Sequence, residues 1–149
     1  MHPVGGILFP DLKTTQNNFY LVGPWQRYGQ SKLANVLYAS ELAKHYGDKG
    51  ILALSIHPGV FNTGLIRNLG WGNKWFIYLG HAGPPKDEKK EGEGSWNSCW
   101  AATSPREKIK NRRFYFPVGK DGVYRREMRN EVLAGELWDW AREELEGWN

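Results

Sequence analysis

Tyr28 and Lys32 are, by residue type and by spacing, the candidates for chemistry in this chain. They stand four apart in Arg27-Tyr28-Gly29-Gln30-Ser31-Lys32-Leu33-Ala34-Asn35. On a helix, residues at i and i+4 share a face. A phenol ionises at about pH 10, so alone it is a poor proton carrier at neutral pH. A neighbouring ammonium favours the phenolate, and a tenfold change in that balance is worth about 1.4 kcal/mol. The pair then makes a general acid/base that gives a proton to, or takes one from, a carbonyl or hydroxyl oxygen during hydride transfer. The plain alternative is a surface Tyr–Lys pair, because a bare Y-x-x-x-K is a weak motif.

The elements around the pair have the arrangement this chemistry needs. From Tyr28 to about Tyr46 the spacing predicts a helix, with Leu33, Val36, Leu37, Tyr38, Ala39, Leu42 and Ala43 as a broad apolar stripe. Lys44 and His45 suit its negative end, and Gly47 supplies the stop. Ile51-Leu52-Ala53-Leu54-Ser55-Ile56 is an apolar run of strand length, of the kind buried in a parallel sheet. It ends in His57-Pro58-Gly59-Val60-Phe61-Asn62-Thr63. Ligands of open α/β sheets bind at the carboxyl ends of strands. Pro58 and Gly59 force a turn there, Gly59 lets backbone approach a flat ring, and the Thr63 hydroxyl can meet an amide. Further helices are expected over about Ser95–Thr103 and from about Met128, the latter with Leu133, Leu137, Ala141 and Leu145 at steps of four. Phe114-Tyr115-Phe116 reads as a short strand.

These residues resemble the C-terminal half of a short-chain dehydrogenase/reductase, in the retinol-dehydrogenase-like and WW-domain-oxidoreductase-like branch as it occurs among fungal reductases. The match rests on Tyr28–Asn35, His57–Thr63, Glu93-Gly94 with Trp100–Thr103, Tyr115–Gly119 and Leu133–Trp138, and covers nearly the whole chain. It implies an α/β fold: the C-terminal part of a Rossmann-like, doubly wound parallel sheet, incomplete here. It implies Tyr28 as acid/base and Lys32 as the group that holds the nicotinamide ribose and favours the Tyr28 phenolate. Tyr28, Lys32, Pro58, Gly59, Val60 and Thr63 would then form the cofactor-binding set for NADP or NAD. The substrate implied is a carbonyl or secondary alcohol on an apolar small molecule. The family's subunit contacts imply pairing, with a like or unlike chain, through the Tyr28 helix.

The chain departs from the family pattern in what precedes Tyr28. The glycine-rich phosphate turn, the Asn-Asn-Ala-Gly stretch and the catalytic Ser are not found, and no Ser precedes Ser31. Gly5-Gly6 follows no strand and opens no helix pattern, so it is not a phosphate cradle. Thr14 and Thr15 lie where many members place the Ser, but Gly5–Lys13 resembles the insert of this branch, which moves the Ser before Met1. The expectation is a single truncated domain over residues 1–149 whose N-terminal cofactor-binding half is missing. Residues 1–27 read as loop and insert, and 64–94 as the substrate-loop region. By itself this chain is expected to be inactive as an oxidoreductase. The other reading is an inactive remnant that pairs with a full-length relative. A sheet stripped of most strands leaves an open edge, so the isolated chain is expected to be marginal, dimeric or aggregation-prone.

Composition narrows the class. At 149 residues and 40% apolar the chain suits one globular domain rather than a disordered segment. A single Cys99 forms no internal disulfide and is expected as a small buried residue of its helix. The four histidines (His2, His45, His57, His81) have no metal-ligand spacing, so no metal is expected. No apolar run approaches membrane-spanning length, and the start does not read as a signal peptide, so a cytoplasmic location is expected. The net charge is +4, concentrated in Arg106–Arg113 and Arg125–Arg129. Each cluster is interrupted by Glu or an apolar residue, so both read as solvated faces and not as a nucleic-acid surface. The aromatic segment around Trp71, Trp75, Phe76 and Tyr78 suits an apolar substrate pocket or core packing, and less well a membrane-surface helix.

Overall fold

A computed structural model describes residues 6–14, 16, 23–59, 93–122 and 125–147. Among these, three α-helices and three short strands follow one another along the chain. They are α1 (Gly23–Tyr46), β1 (Ser55–Ile56), α2 (Trp96–Thr103), β2 (Phe114–Phe116), β3 (Lys120–Asp121) and α3 (Glu131–Leu145). Short 3-10 turns stand at Phe9–Asp11, Glu93–Ser95, Arg106–Lys108 and Arg126–Arg129. The sheet order is β1-β2-β3. Ser55 N–H donates to Arg113 O and His57 N–H to Tyr115 O, so β1 and β2 climb together and are parallel. Gly122 N–H donates to Phe114 O, which closes β2 and β3 as an antiparallel hairpin across Pro117–Gly119. The architecture is a mixed α/β fold with a small mixed sheet, compatible with an incomplete Rossmann-like domain. The antiparallel β3 is an addition to the two strands expected.

Two compact units divide the chain. One comprises Met1–Ser55, Pro105–Phe114 and Asp121–Asn149; the other comprises Ile56–Ser104 and Tyr115–Lys120.

The first unit is built on α1 against α3. Leu33 and Leu37 of α1 meet Leu133, Ala134 and Leu137 of α3, with Ile7 closing the cluster and Phe9, Leu12, Tyr38, Met128 and Trp140 around it. Each fully buried side chain of this kind contributes about 1.5–3 kcal/mol by leaving water. Trp138 extends the seam: Tyr38 stacks on it at 5.3 Å and His45 at 4.5 Å. Glu41 is buried there, and its carboxylate takes Lys44 Nζ at 3.2 Å and His45 Nε2 at 3.3 Å. Lys44 and His45, expected only to face the helix dipole, therefore also partner a buried carboxylate.

Several boundaries move from the expected ones, each for a local reason. The first helix begins at Gly23, not after Tyr28, because Pro24 has no N–H to lose in a first turn and its φ suits it. Only Ser55–Ile56 of the Ile51–Ile56 run is strand. The Asn111 side chain takes its place, donating to Ile51 O at 3.3 Å and accepting from Ala53 N–H at 2.8 Å. Gly47 ends α1 by compactness rather than by a left-handed backbone: a Cβ there would lie 2.4 Å from Ala43 O and 2.9 Å from Asn111 Nδ2. Gly50 supplies the left-handed residue, at φ +87°. The last helix starts at Glu131, where Asn130 caps it by accepting from Leu133 N–H at 3.1 Å; Met128 lies in the preceding 3-10 turn. Leu145 is exposed, because steps of four drift about 40° each around a helix.

The two basic stretches are largely exposed, in line with solvated faces. Arg106 donates to Gly50 O, and Arg112 reaches Ser40 Oγ and Glu131. Cys99 is exposed, contrary to expectation. Asn97 takes the buried face of α2, and two residues later a helix has turned about 200°.

Candidate active site

Tyr28 and Lys32 project from the first half of α1, each one exposed. The Lys32 Nζ lies 5.4 Å from the centroid of the Tyr28 ring. Trp25, three residues earlier, meets the same ring edge-on at 6.5 Å and 79°. Ser31 Oγ donates to Tyr28 O within the helix. The opposite face of α1 carries Leu33 and Leu37 into the core, so burial of that stripe turns the Tyr28–Lys32 face outward. Gln30, nearly buried, accepts from Leu8 N–H at 2.9 Å and ties the segment before α1 to it. The phenol is 57% exposed, accessible to a reactant.

Of the remaining site candidates, Pro58 and Gly59 belong to the second unit. Gly59 has φ +109°, a left-handed conformation in which a Cβ is strained. Its N–H donates to Nδ1 of His57 at 2.9 Å, closing a tight turn directly after β1. Val60 and Thr63 lie outside the described residues, as do Thr15 and the aromatic segment within 64–92. Thr14 is used structurally: its hydroxyl donates to Asp11 O and accepts from Gln16 N–H.

Sequence reading missed the support beneath the turn. His57 stacks on Phe116 at 4.9 Å and 10°. Asn97, fully buried, donates to His57 O and Tyr115 O and accepts from Gly119 N–H. Trp100 packs on Tyr115 at 4.9 Å and lies where a Gly119 side chain would be. The available signal was an Asn inside the aromatic-rich run Trp96–Trp100, a polar group that needs partners if buried. Among the described residues no cluster of His, Cys, Asp or Glu could hold a metal ion, and no helix is long and apolar enough to cross a membrane.

Comparison with known proteins decides the lineage. The chain is 35% identical over 154 residues to the short-chain dehydrogenase/reductase drtF of Aspergillus calidoustus, covering 96% of this chain and 46% of that protein. The chain belongs to the short-chain dehydrogenase/reductase family. A short-chain dehydrogenase/reductase of Armillaria gallica is 34% identical over 117 residues, covering 76% of this chain and 34% of its own length. Retinol dehydrogenase 11 of Mus musculus is 30% identical over 142 residues, covering 93% and 40%. The chain thus spans less than half the length of these family members, and its motifs resemble those of the C-terminal half of a retinol-dehydrogenase-like member. No family model matches the sequence, and no solved structure matches it.

Proposed function

We propose that the protein supplies the proton-transfer half of an NAD(P)-dependent oxidoreductase acting on a carbonyl or secondary alcohol of an apolar small molecule. The observation that carries this reading is the exposed Tyr28 phenol with Lys32 Nζ 5.4 Å from its ring centroid, on one face of a helix whose other face is anchored in the core. The family's oxidoreductase character supports it.

The residues present fit a nicotinamide cofactor. Gly59 leaves the backbone bare at a left-handed turn after a parallel strand, where family cofactors sit. Bound NADP or NAD would supply the hydride donor or acceptor. Tyr28 takes the proton from the alcohol oxygen as hydride leaves carbon, or returns it to the carbonyl oxygen as hydride arrives. Lys32 would hold the ribose hydroxyls of the cofactor. By the family resemblance, Pro58, Gly59, Val60 and Thr63 would hold the nicotinamide end of the cofactor. The 64–94 region supplies the substrate-facing loop. The setting proposed is the cytoplasm. Pairing with a second copy or a longer relative is proposed through α1, which exposes Arg27, Ser31 and Asn35 beside the pair.

The test is reduction of an apolar ketone with NADPH or NADH by protein isolated from its source, alongside Tyr28→Phe. Turnover that the phenylalanine variant abolishes supports the assignment. Cofactor capture with no turnover in the wild type overturns it in favour of an inactive relative.

A further inference from the structure

We infer that Asn97 is the positioning residue of the His57–Gly59 turn, which rests on the reading of that turn as the nicotinamide seat. Asn97 lies at the start of α2 and is fully buried. A buried amide costs about 1–3 kcal/mol if its groups go unpaired. Here both donors and the acceptor are engaged. Nδ2 donates to His57 O at 2.9 Å and to Tyr115 O at 3.1 Å, and Oδ1 accepts from Gly119 N–H at 3.1 Å.

The atoms it grips are the ends of two adjacent parallel strands. Tyr115 O receives the Asn97 amide and also His57 N–H, at 2.8 Å, which uses both of its lone pairs. His57 is thereby held at its N–H by Tyr115 and at its carbonyl by Asn97. Its ring is held flat on Phe116, and its Nδ1 draws in the Gly59 N–H. The chain of contacts runs from Asn97 through His57 to Gly59, with Pro58 locked between. One helical turn on, Trp100 lies within 2.4–2.7 Å of where a Gly119 Cβ would stand, so α2 seats the 115–119 segment by the same face. Asn97 bonds to backbone atoms of His57, Tyr115 and Gly119. It acts through the backbone, and a turn displaced by an ångström can cost on the order of 10²-fold in a reaction that depends on orientation.

The experiment uses the ¹⁵N-labelled full chain as wild type, N97A and N97D. It reads hydrogen exchange of the Gly59 and Gly119 amides, the His57 ring nitrogen shifts, and binding of NADPH and NADH. Amides of α1 report whether the fold survives. N97A should speed Gly59 exchange at least tenfold, shift His57 Nδ1 and weaken cofactor binding at least tenfold. N97D keeps the acceptor for Gly119 and loses both donors, so Gly119 should stay protected while Gly59 does not. A filler of the core would lower thermal stability and leave Gly59 and His57 unmoved; that result overturns the inference. It is also overturned if cofactor affinity holds in N97A while Gly59 loosens. Should neither variant fold, the wild type decides: side-chain amide protons of Asn97 that exchange freely would overturn the inference, and slow ones support it. Wild-type protein that takes no NADPH or NADH, with Gly59 still loosened by N97A, overturns the nicotinamide reading alone.

Discussion

Lys32 Nζ stands 5.4 Å from the centroid of the Tyr28 ring, one turn further along α1. The contact is a cation over an aromatic face, worth about 0.5–1 kcal/mol at an exposed site. Such a small energy cannot be why the helix folds, so the two residues can be changed without loss of structure. Tyr28→Phe should lower turnover by ~10²–10⁴-fold, the usual worth of a general acid/base, with stability altered by less than about 0.5 kcal/mol. Lys32→Ala should raise KM for the cofactor as well as lower kcat. Steady-state kinetics beside thermal melts check both.

The seam between α1 and α3 behaves in the opposite way. Leu37→Ala or Leu137→Ala removes a side chain buried where the two helices meet. Each should cost about 2–5 kcal/mol, measured by urea denaturation. Asn130→Ala should cost about 1 kcal/mol, because only the Leu133 N–H cap is lost.

Gly119 is constrained twice. Its φ is +66°, and a Cβ would stand 2.4 Å from Trp100 Cε2. Gly119→Ala should destabilise by about 1–3 kcal/mol and shift Trp100 emission as the indole is displaced. A single Trp100→Phe control isolates that signal from the other tryptophans. Unchanged melting would show that the 115–119 segment is not held as described.

His57 closes the turn through a side-chain acceptor: its Nδ1 takes the Gly59 N–H at 2.9 Å. His57→Ala removes that acceptor and should speed exchange of the Gly59 amide at least tenfold. Hydrogen exchange of Gly59, with Gly119 as reference, measures it.

Glu41 gives a further check on burial. Its carboxylate is inside, while Lys44 and His45 reach it from half-exposed positions. Glu41→Gln keeps shape and removes the charge, and should cost less than Glu41→Ala, which also leaves a cavity at a fully buried position. Chemical denaturation of the two variants separates the charge from the packing.

The sequence by itself determined the elements whose signal is local. Periodicity placed the body of α1 and its Leu33–Leu37 stripe, because a 3.6-residue repeat needs no tertiary knowledge. The Tyr28–Lys32 face followed from spacing alone, and the Phe114–Phe116 strand matched its predicted span. The motif set also carried the family, since several short matches in one order are far more specific than any one. Tertiary structure decided what depends on partners distant in sequence. Asn111 satisfies the Ile51–Ala53 backbone from 58–60 residues away, which no reading of the apolar run reveals. Cys99 faces out because Asn97 is drawn in by carbonyls of His57 and Tyr115, 40 and 18 residues distant. A buried amide is recognised only when its acceptors are in place, and those are brought together by the fold, not by neighbours along the chain.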